Sequence, residues 1–336
     1  MTVPAQLTSD EPIRLDSLRQ LNVIDTPIEE RFERITRLVR KLLGVPIAAI
    51  SLVESDRQWF KSIAGLDICE TSRDVSFCAH GLHSDNPLII PDAREDPRFC
   101  ANPLVTDDPG IVFYAGIPLH APGQARIGML CAIDTVPRTP ELADLETLRD
   151  LAKMAAREIA TPPAAPAAAE ARSLYVHERR SLVDPTTRLW SPGGIAMIAQ
   201  ATFEEASNRL AGRAIVRIRL DGLGSIAHGA HESVLRSTGR TLLSTLRETD
   251  IVGRLGENEF LALITPSDTE AFASGVMSLA VERVNASLAT ELPDTQPVRA
   301  CAGVYHCDPV SSMGFVEAMA RADRKMPPPA ARPAAA

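Results

Sequence analysis

Apolar positions along the chain follow two rhythms, and each predicts a different kind of element. Leu15, Leu18 and Leu21 fall at the spacing of one helix face. Next, Thr26-Pro27-Ile28-Glu29-Glu30 supplies an N-cap, an early proline and first-turn acids for the helix RFERITRLVRKLL, which stops at Gly44. IAAISLV (47–53) and QWFKSIAG (58–65) predict a strand pair joined by the polar turn Glu54-Ser55-Asp56. LIIPDA, FYAGIPLHAP and ARIGMLCAID predict further short strands, and LADLETLRDLAKMAAREIA predicts a closing helix with one apolar face. This order implies a central antiparallel sheet with helices on one side.

TPPAAPAAA (161–169) breaks the pattern, because proline interrupts helix hydrogen bonding and alanine offers little surface to a core. Beyond it, helical patterns alternate with strands: LYVHERRSLV, GGIAMIAQATFEEASNRL, the strand AIVRIRLDGL and the helix ESVLRSTGRTLLSTLRE. The strand–turn–strand DIVGRLGENEFLALITP, a long helix from Asp268, the strand VRACAGVYHC and the helix FVEAMARADRKM complete the series. This predicts a mixed sheet with helices on both faces. The fold class is therefore α/β (α+β), with a folded block at 13–160, a Pro/Ala linker at 161–172, a second block at 173–326 and a disordered tail at 327–336. The prolines interrupt a continuous helical connection, so loose coupling of the two blocks is expected.

Composition narrows the functional classes. A formal charge of −8 argues against nucleic-acid or anionic-membrane partners bound through bulk electrostatics. No apolar run approaches a membrane-spanning length, and MTVPAQLTSDEP lacks the basic start and apolar core of a signal peptide, so a cytoplasmic location is expected. The six cysteines (69, 78, 100, 131, 301, 307) show no CxxC pairing and are read as reduced thiols.

The first block resembles a GAF domain through LRQLNVIDTPIEERFERITRLVRKLLGVPIAAISLVESDRQWFKS, DVSFCAH, PDAREDPRFCANPLV, FYAGIPL and IGMLCAID. That resemblance implies a sensor whose sheet binds a small molecule, here unidentified, and a candidate homodimer through the flanking helices. The second block resembles the GGDEF domain of diguanylate cyclases, which condense two GTP into cyclic di-GMP. The resemblance rests on Asp184-Pro185-Thr186-Thr187-Arg188-Leu189, RIRLDGL, RETD, RLGENEF and RADRKM, in order and at family spacing.

Position by position, the cyclase chemistry implied by the family is degraded. Gly256 fills the first hairpin glycine, but Glu257 stands where a second glycine lets phosphate approach the backbone. Asn258 replaces an acid, and a carboxamide carries no charge and cannot act as a base. Glu259 and Phe260 keep the family type. The first metal carboxylate of the preceding strand aligns with Arg219, whereas Asp221 survives. A guanidinium about 4 Å from a dication is repelled by about 8 kcal/mol at an effective dielectric of about 20. Ala227 stands at the position of the family's guanine-binding asparagine, Glu232 is a candidate for the second base contact, and Pro327-Pro328-Pro329 displaces basic residues after the last helix. No catalytic residue is expected. The alternative is an active diguanylate cyclase holding Mg²⁺, its only cofactor, with Glu259, Asp221 and Glu257.

Arg247-Glu248-Thr249-Asp250 matches the RxxD motif by which family members bind cyclic di-GMP, so Arg247 and Asp250 are candidate ligand residues. Arginine suits phosphate or a guanine edge, and aspartate accepts from guanine N–H groups. In the first block, Cys78 and His80 share a face if SFCAH is a strand, which makes them sensor candidates for a metal, a chromophore or an oxidant, with Cys69, Cys100 and Cys131 as neighbours through space. The competing reading is small buried thiols and a hydrogen-bonded histidine. Arg94, Asp96 and Arg98 are read as loop hydrogen bonding, and Trp59, Phe60 and Trp190 as core. The expected protein is a cytoplasmic GAF sensor joined to a degenerate GGDEF-like module that receives cyclic di-GMP or binds a protein partner.

Overall fold

The computed structural model describes residues 3–164, 168–169, 171, 176–292 and 298–328. The chain divides into two compact units, 1–162 and 163–336. Among the described residues, no helix is long and apolar enough to cross a membrane.

The first unit is built on a six-stranded antiparallel sheet, ordered β3-β2-β1-β6-β5-β4. Its strands are β1 (Ile47–Val53), β2 (Arg57–Ala64), β3 (Glu70–Ser72), β4 (Leu88–Ile90), β5 (Phe113–His120) and β6 (Arg126–Asp134). The helices are α1 (Glu11–Gln20), α2 (Glu30–Leu43), α3 (Phe77–Gly81), α4 (Pro103–Thr106) and α5 (Leu142–Ala160). α2 ends at Gly44 with φ 61°, the left-handed conformation that glycine adopts without a Cβ penalty. On one face of the sheet, Phe32, Ile35 and Val39 of α2 and Leu148, Leu151 and Ala155 of α5 pack on Ala48, Ile50, Ala115 and Leu130. Each of the buried Phe, Ile, Val and Leu side chains among these contributes roughly 1.5–3 kcal/mol.

The opposite face is covered as well, contrary to the expectation of helices on one side. There α3 and the loops around it bring Phe77, Cys78, Leu82 and Phe99 onto Tyr114, Met129 and Cys131. SFCAH is consequently a helix and not a strand. Ser76 caps it by accepting from the Ala79 N–H at 3.0 Å. In a helix two residues apart point to nearly opposite sides, so Cys78 and His80 do not share a face.

The second unit holds β7 (Arg213–Asp221), β8 (Ile251–Arg254), β9 (Glu259–Ile264) and β10 (Arg299–Cys307), ordered β10-β7-β9-β8. These strands pair antiparallel throughout. Parallel pairing enters through an isolated bridge between Trp190 and Gly253. A Cβ at Gly253 would lie 2.5 Å from the Ile195 Cβ and 2.9 Å from that of Trp190, so this approach needs glycine. Helix α6 is Val176–Ser181, α7 is Pro192–Asn208, α8 is His228–Thr245, α9 is Glu270–Glu291 and α10 is Phe315–Arg324. α7 and α10 pack Ile195, Ile198, Phe203, Phe315 and Ala318 on Ile215, Leu261 and Leu263. α8 and α9 pack on each other and on the sheet strands, burying Val234, Leu242, Met277, Val284 and Leu288.

The expected linker 161–172 lies partly outside the described residues, and the expected tail 327–336 mostly so. Within the linker span, Ala171 is buried against the core of the second unit.

Candidate functional site

Alternation along β7 places Arg217, Arg219 and Asp221 on one face of the sheet, from the middle of the strand to its C-terminal end. Antiparallel register sets Glu259 of β9 opposite Arg219, and Cys301 of β10 opposite it on the other side. The hairpin between β8 and β9 closes through the Leu255 N–H donating to the Glu259 carbonyl at 2.7 Å.

Arginine occupies this end of the sheet. The Arg219 Nε donates to Asp221 Oδ1 at 2.6 Å, and its Nη2 donates to the Pro327 carbonyl at 2.9 Å. The hydrogen bond it donates to Asp221 raises the pKa of the Arg219 guanidinium above its ordinary value. Arg217 reaches Glu259 at 2.7 Å and Asp323 of α10 at 2.9 Å. Thus both surviving carboxylates, Asp221 and Glu259, are held by guanidinium groups. Burial and the nearby Asp221 charge raise the Cys301 thiol, which keeps it protonated and lets it donate toward Asp221 Oδ2 at 3.6 Å.

The hairpin tip is similarly occupied. The Asn258 carboxamide donates to the Leu220 carbonyl at 2.9 Å, and the Leu220 N–H donates to the Asn258 carbonyl at the same distance. Arg254 donates to the carbonyls of Gly256 and Glu257 and reaches Asp184 at 3.3 Å. Glu257 is exposed at the tip. Gly256 does not have a positive φ, and a Cβ there would meet nothing closer than 3.8 Å, so the turn itself does not require glycine. Asp184 accepts from the Thr187 N–H and hydroxyl, both at 2.8 Å, closing the turn in which Arg188 has φ 59°. That conformation costs a non-glycine residue about 1 kcal/mol.

Around the expected base pocket, Ala227 precedes α8 and offers no side-chain cap, while Glu232 pairs with Arg236 at 3.1 Å on the helix surface. RETD is not a helix end. α8 stops at Thr245, and Arg247 to Asp250 form a separate turn in which the Arg247 N–H donates to Asp250 Oδ2 at 2.9 Å. The Asp250 side chain is 0% exposed and also accepts from the Thr265 N–H, so it faces inward. The Arg247 side chain is 45% exposed, donates to the Pro266 carbonyl and lies over the Phe272 ring at 5.1 Å.

In the first unit, Cys78 meets Cys131, with the sulfurs 3.3 Å apart and both residues buried. His80 turns the other way, donating through Nε2 to the Val3 carbonyl at 3.1 Å, and burial lowers its pKa. Cys100 is exposed and Cys69 half-buried. Asp92 and Asp96 accept from the backbone and side chains of Arg94 and Arg98, as loop turns do. Trp59, Phe60 and Trp190 are core residues. A cavity of about 190 Å³ lies on the helical face, lined by Leu43, Val45, Phe113, Arg138, Asp144 and Leu148 among others. Among the described residues, no group of three or more His, Cys, Asp or Glu side chains is placed to hold a metal ion.

Sequence motifs single out Arg219, Asp221 and Glu259 in this cluster, whereas Arg217, Asp323 and Cys301 join them through the fold. The period-two rhythm of RIRLD places Arg217 beside Arg219 and was the available signal.

Comparison with known proteins places two domains in the chain. Residues 27–159 match the GAF domain, and residues 182–328 match the family described as "Diguanylate cyclase, GGDEF domain". A curated relative, "Cyclic di-GMP phosphodiesterase PA2567" of Pseudomonas aeruginosa, is 36% identical over 191 residues, which is 56% of this chain and 32% of that protein. The chain therefore spans about a third of that relative's length. Similar solved structures include the GGDEF domain of DgcB from Caulobacter crescentus in complex with c-di-GMP (15% identity, 43% of this chain and 86% of that one, TM-score 0.37). Diguanylate cyclase SiaD in complex with its activator SiaC, from Pseudomonas aeruginosa, shares 22% identity over 55% of this chain and 68% of that one, with a TM-score of 0.37.

Proposed function

Because the chain carries a GAF domain followed by a GGDEF domain, we propose that it is a regulatory protein of cyclic di-GMP signalling whose GGDEF domain binds the dinucleotide or a protein partner without condensing GTP. The observation that carries this reading is the pair of arginines on the surviving acids, Arg219 on Asp221 and Arg217 on Glu259. Two-metal phosphoryl transfer needs carboxylates turned toward Mg²⁺. Here those carboxylates are neutralised, and Asn258 is committed to the strand end. The curated relative, named as a cyclic di-GMP phosphodiesterase, supports the signalling context and makes the dinucleotide the ligand to test.

Arg247 is the side chain offered to that ligand, with Asp250 positioning it from below through the turn. A guanidinium on an aromatic ring, with room to rotate from the Pro266 carbonyl to a phosphate or guanine edge, suits such a contact.

The deciding assay incubates the purified chain with GTP and Mg²⁺ or Mn²⁺ and follows cyclic di-GMP. No product is expected; turnover that disappears in Glu259→Ala would establish the alternative, an active cyclase with atypical ligands. Calorimetry with cyclic di-GMP is then expected to show binding that Arg247→Ala weakens by about tenfold or more. A wild-type chain that does not bind would leave the protein-partner reading.

A further inference from the structure

The buried face of the first unit contains a built thiol pair that the signalling role does not use. Cys78 comes from α3 and Cys131 from the central strand β6, and their sulfurs are 3.3 Å apart. The Tyr114 hydroxyl lies 3.3 Å from the Cys78 sulfur and 3.5 Å from that of Cys131, so it donates to either. Two glycines make this arrangement fit. A Cβ at Gly116 would lie 2.4 Å from the Tyr114 hydroxyl, and one at Gly81 would lie 2.4 Å from the Met129 Cε, so α3 sits close on β6.

We infer that Cys78 and Cys131 form a reversible disulfide when a small peroxide reaches this face of the GAF domain. The Cys78 thiolate attacks one peroxide oxygen: an S–O bond forms, the O–O bond breaks, and the departing oxygen leaves as water or alcohol after taking a proton. The Cys131 thiol, giving up its proton, then attacks the sulfenic sulfur. An S–S bond of about 2.05 Å forms, the S–O bond breaks, and water leaves. Both sulfurs are oxidised by one electron each, and the peroxide is reduced by two.

The division of roles follows from the surroundings. Burial opposes a thiolate at Cys78, but donation from Cys131 and Tyr114 outweighs it and lowers that thiol, whereas burial pushes Cys131 up. Cys78 is therefore the attacking sulfur and Cys131 the resolving one. Access needs an opening of α3, which is only five residues long and lies between loops; opening such a segment costs less than unfolding the unit. The N-terminal segment rides on the same region, because His80 and His83 donate to the carbonyls of Val3 and Gln6 at 3.1 and 3.0 Å. Drawing α3 toward β6 would shift these contacts, which gives the oxidised state a surface distinct from the reduced one.

The test treats the reduced, full-length chain with hydrogen peroxide and maps its cysteines by digestion without reductant and mass spectrometry. The expected result is a peptide cross-linked through Cys78 and Cys131 that appears in folded protein and disappears with dithiothreitol. Tyr114→Phe keeps the ring and is expected to form the cross-link about tenfold more slowly, since it removes a donor to the thiolate. Cys131→Ala is expected to leave Cys78 as a sulfenic acid that dimedone traps; if this variant does not fold, the wild-type cross-link and the Tyr114→Phe rate decide. The inference is overturned if peroxide oxidises Cys100 or Cys69 while Cys78 and Cys131 remain fully alkylatable after denaturation. An unchanged rate in Tyr114→Phe overturns it as well.

Discussion

Both units set arginine against carboxylate, with different consequences. In the first, Glu11 accepts from Arg14 at 2.6 Å and from Arg73 at 2.5 Å, and the side chains of Glu11, Arg14 and Arg73 are 9%, 1% and 5% exposed. Arg14 also donates to the Val53 carbonyl at 2.7 Å, which fastens α1 to the end of β1. In the second, Arg217 of β7 pairs with Glu259 and Asp323, and those acids are 36% and 49% exposed. Removing one member of the first cluster strands a charge in a low dielectric. In the second, water takes the partner's place. The same chemistry thus builds architecture in one unit and pairs half-exposed acids in the other.

Three substitutions test that contrast, and the chain offers a convenient probe in each unit, Trp59 in the first and Trp190 in the second. Glu11→Gln, followed by Trp59 fluorescence in urea with Trp190→Phe as background, is expected to lower the first unit's stability by about 3 kcal/mol. Arg217→Met, followed at Trp190 with Trp59→Phe, is expected to cost about 1 kcal/mol. A cost equal to that of Glu11→Gln would break the comparison. Lys153→Ala removes the exposed Asp150 pair on α5 and is expected to change stability by less than about 0.5 kcal/mol. Because this last pair lies in the first unit, a null result there would assign the difference to burial and not to the unit.

The Glu11 effect also has a pH signature. Although burial favours the neutral acid, hydrogen bonds from Arg14, Arg73 and Thr8, with the Arg14 charge, hold the Glu11 carboxyl well below the usual range. A depressed folded pKa contributes stability that is fully present above the unfolded value of about 4.3 and is lost as pH falls toward the folded one. The gap between wild type and Glu11→Gln is therefore expected to stay constant from neutral pH to about 4.3 and to narrow in stronger acid, as read from urea midpoints.

The sequence made the regular elements legible where one period ran long enough. IAAISLV is β1 over 47–53, residue for residue, because continuous burial on both faces leaves a recognisable apolar run. SFCAH leaves its element open in the sequence, because five residues cannot separate a two-residue period from a helical one; its N-cap, Ser76, is the better guide. RETD was placed on a helix because nothing local shows that Asp250 folds back to cap the Arg247 N–H. The identities at Arg219, Glu257 and Asn258 are readable as residue types. Their engagement is not, since the pairing of Arg217 with Glu259 and Asp323 depends on strand register and on α10, more than a hundred residues along the chain. The Cys78–Cys131 contact likewise joins two elements that no spacing rule connects.

The Asn258 side chain has a consequence for how this hairpin can change over generations. Its amide hydrogen is used by the Leu220 carbonyl, at the place where the strand ladder ends. An aspartate there would set a carboxylate oxygen against that carbonyl, two acceptors with no hydrogen between them. Position 258 is thus coupled to the end of β7: an aspartate there is expected to persist only together with a change that relieves the Leu220 carbonyl.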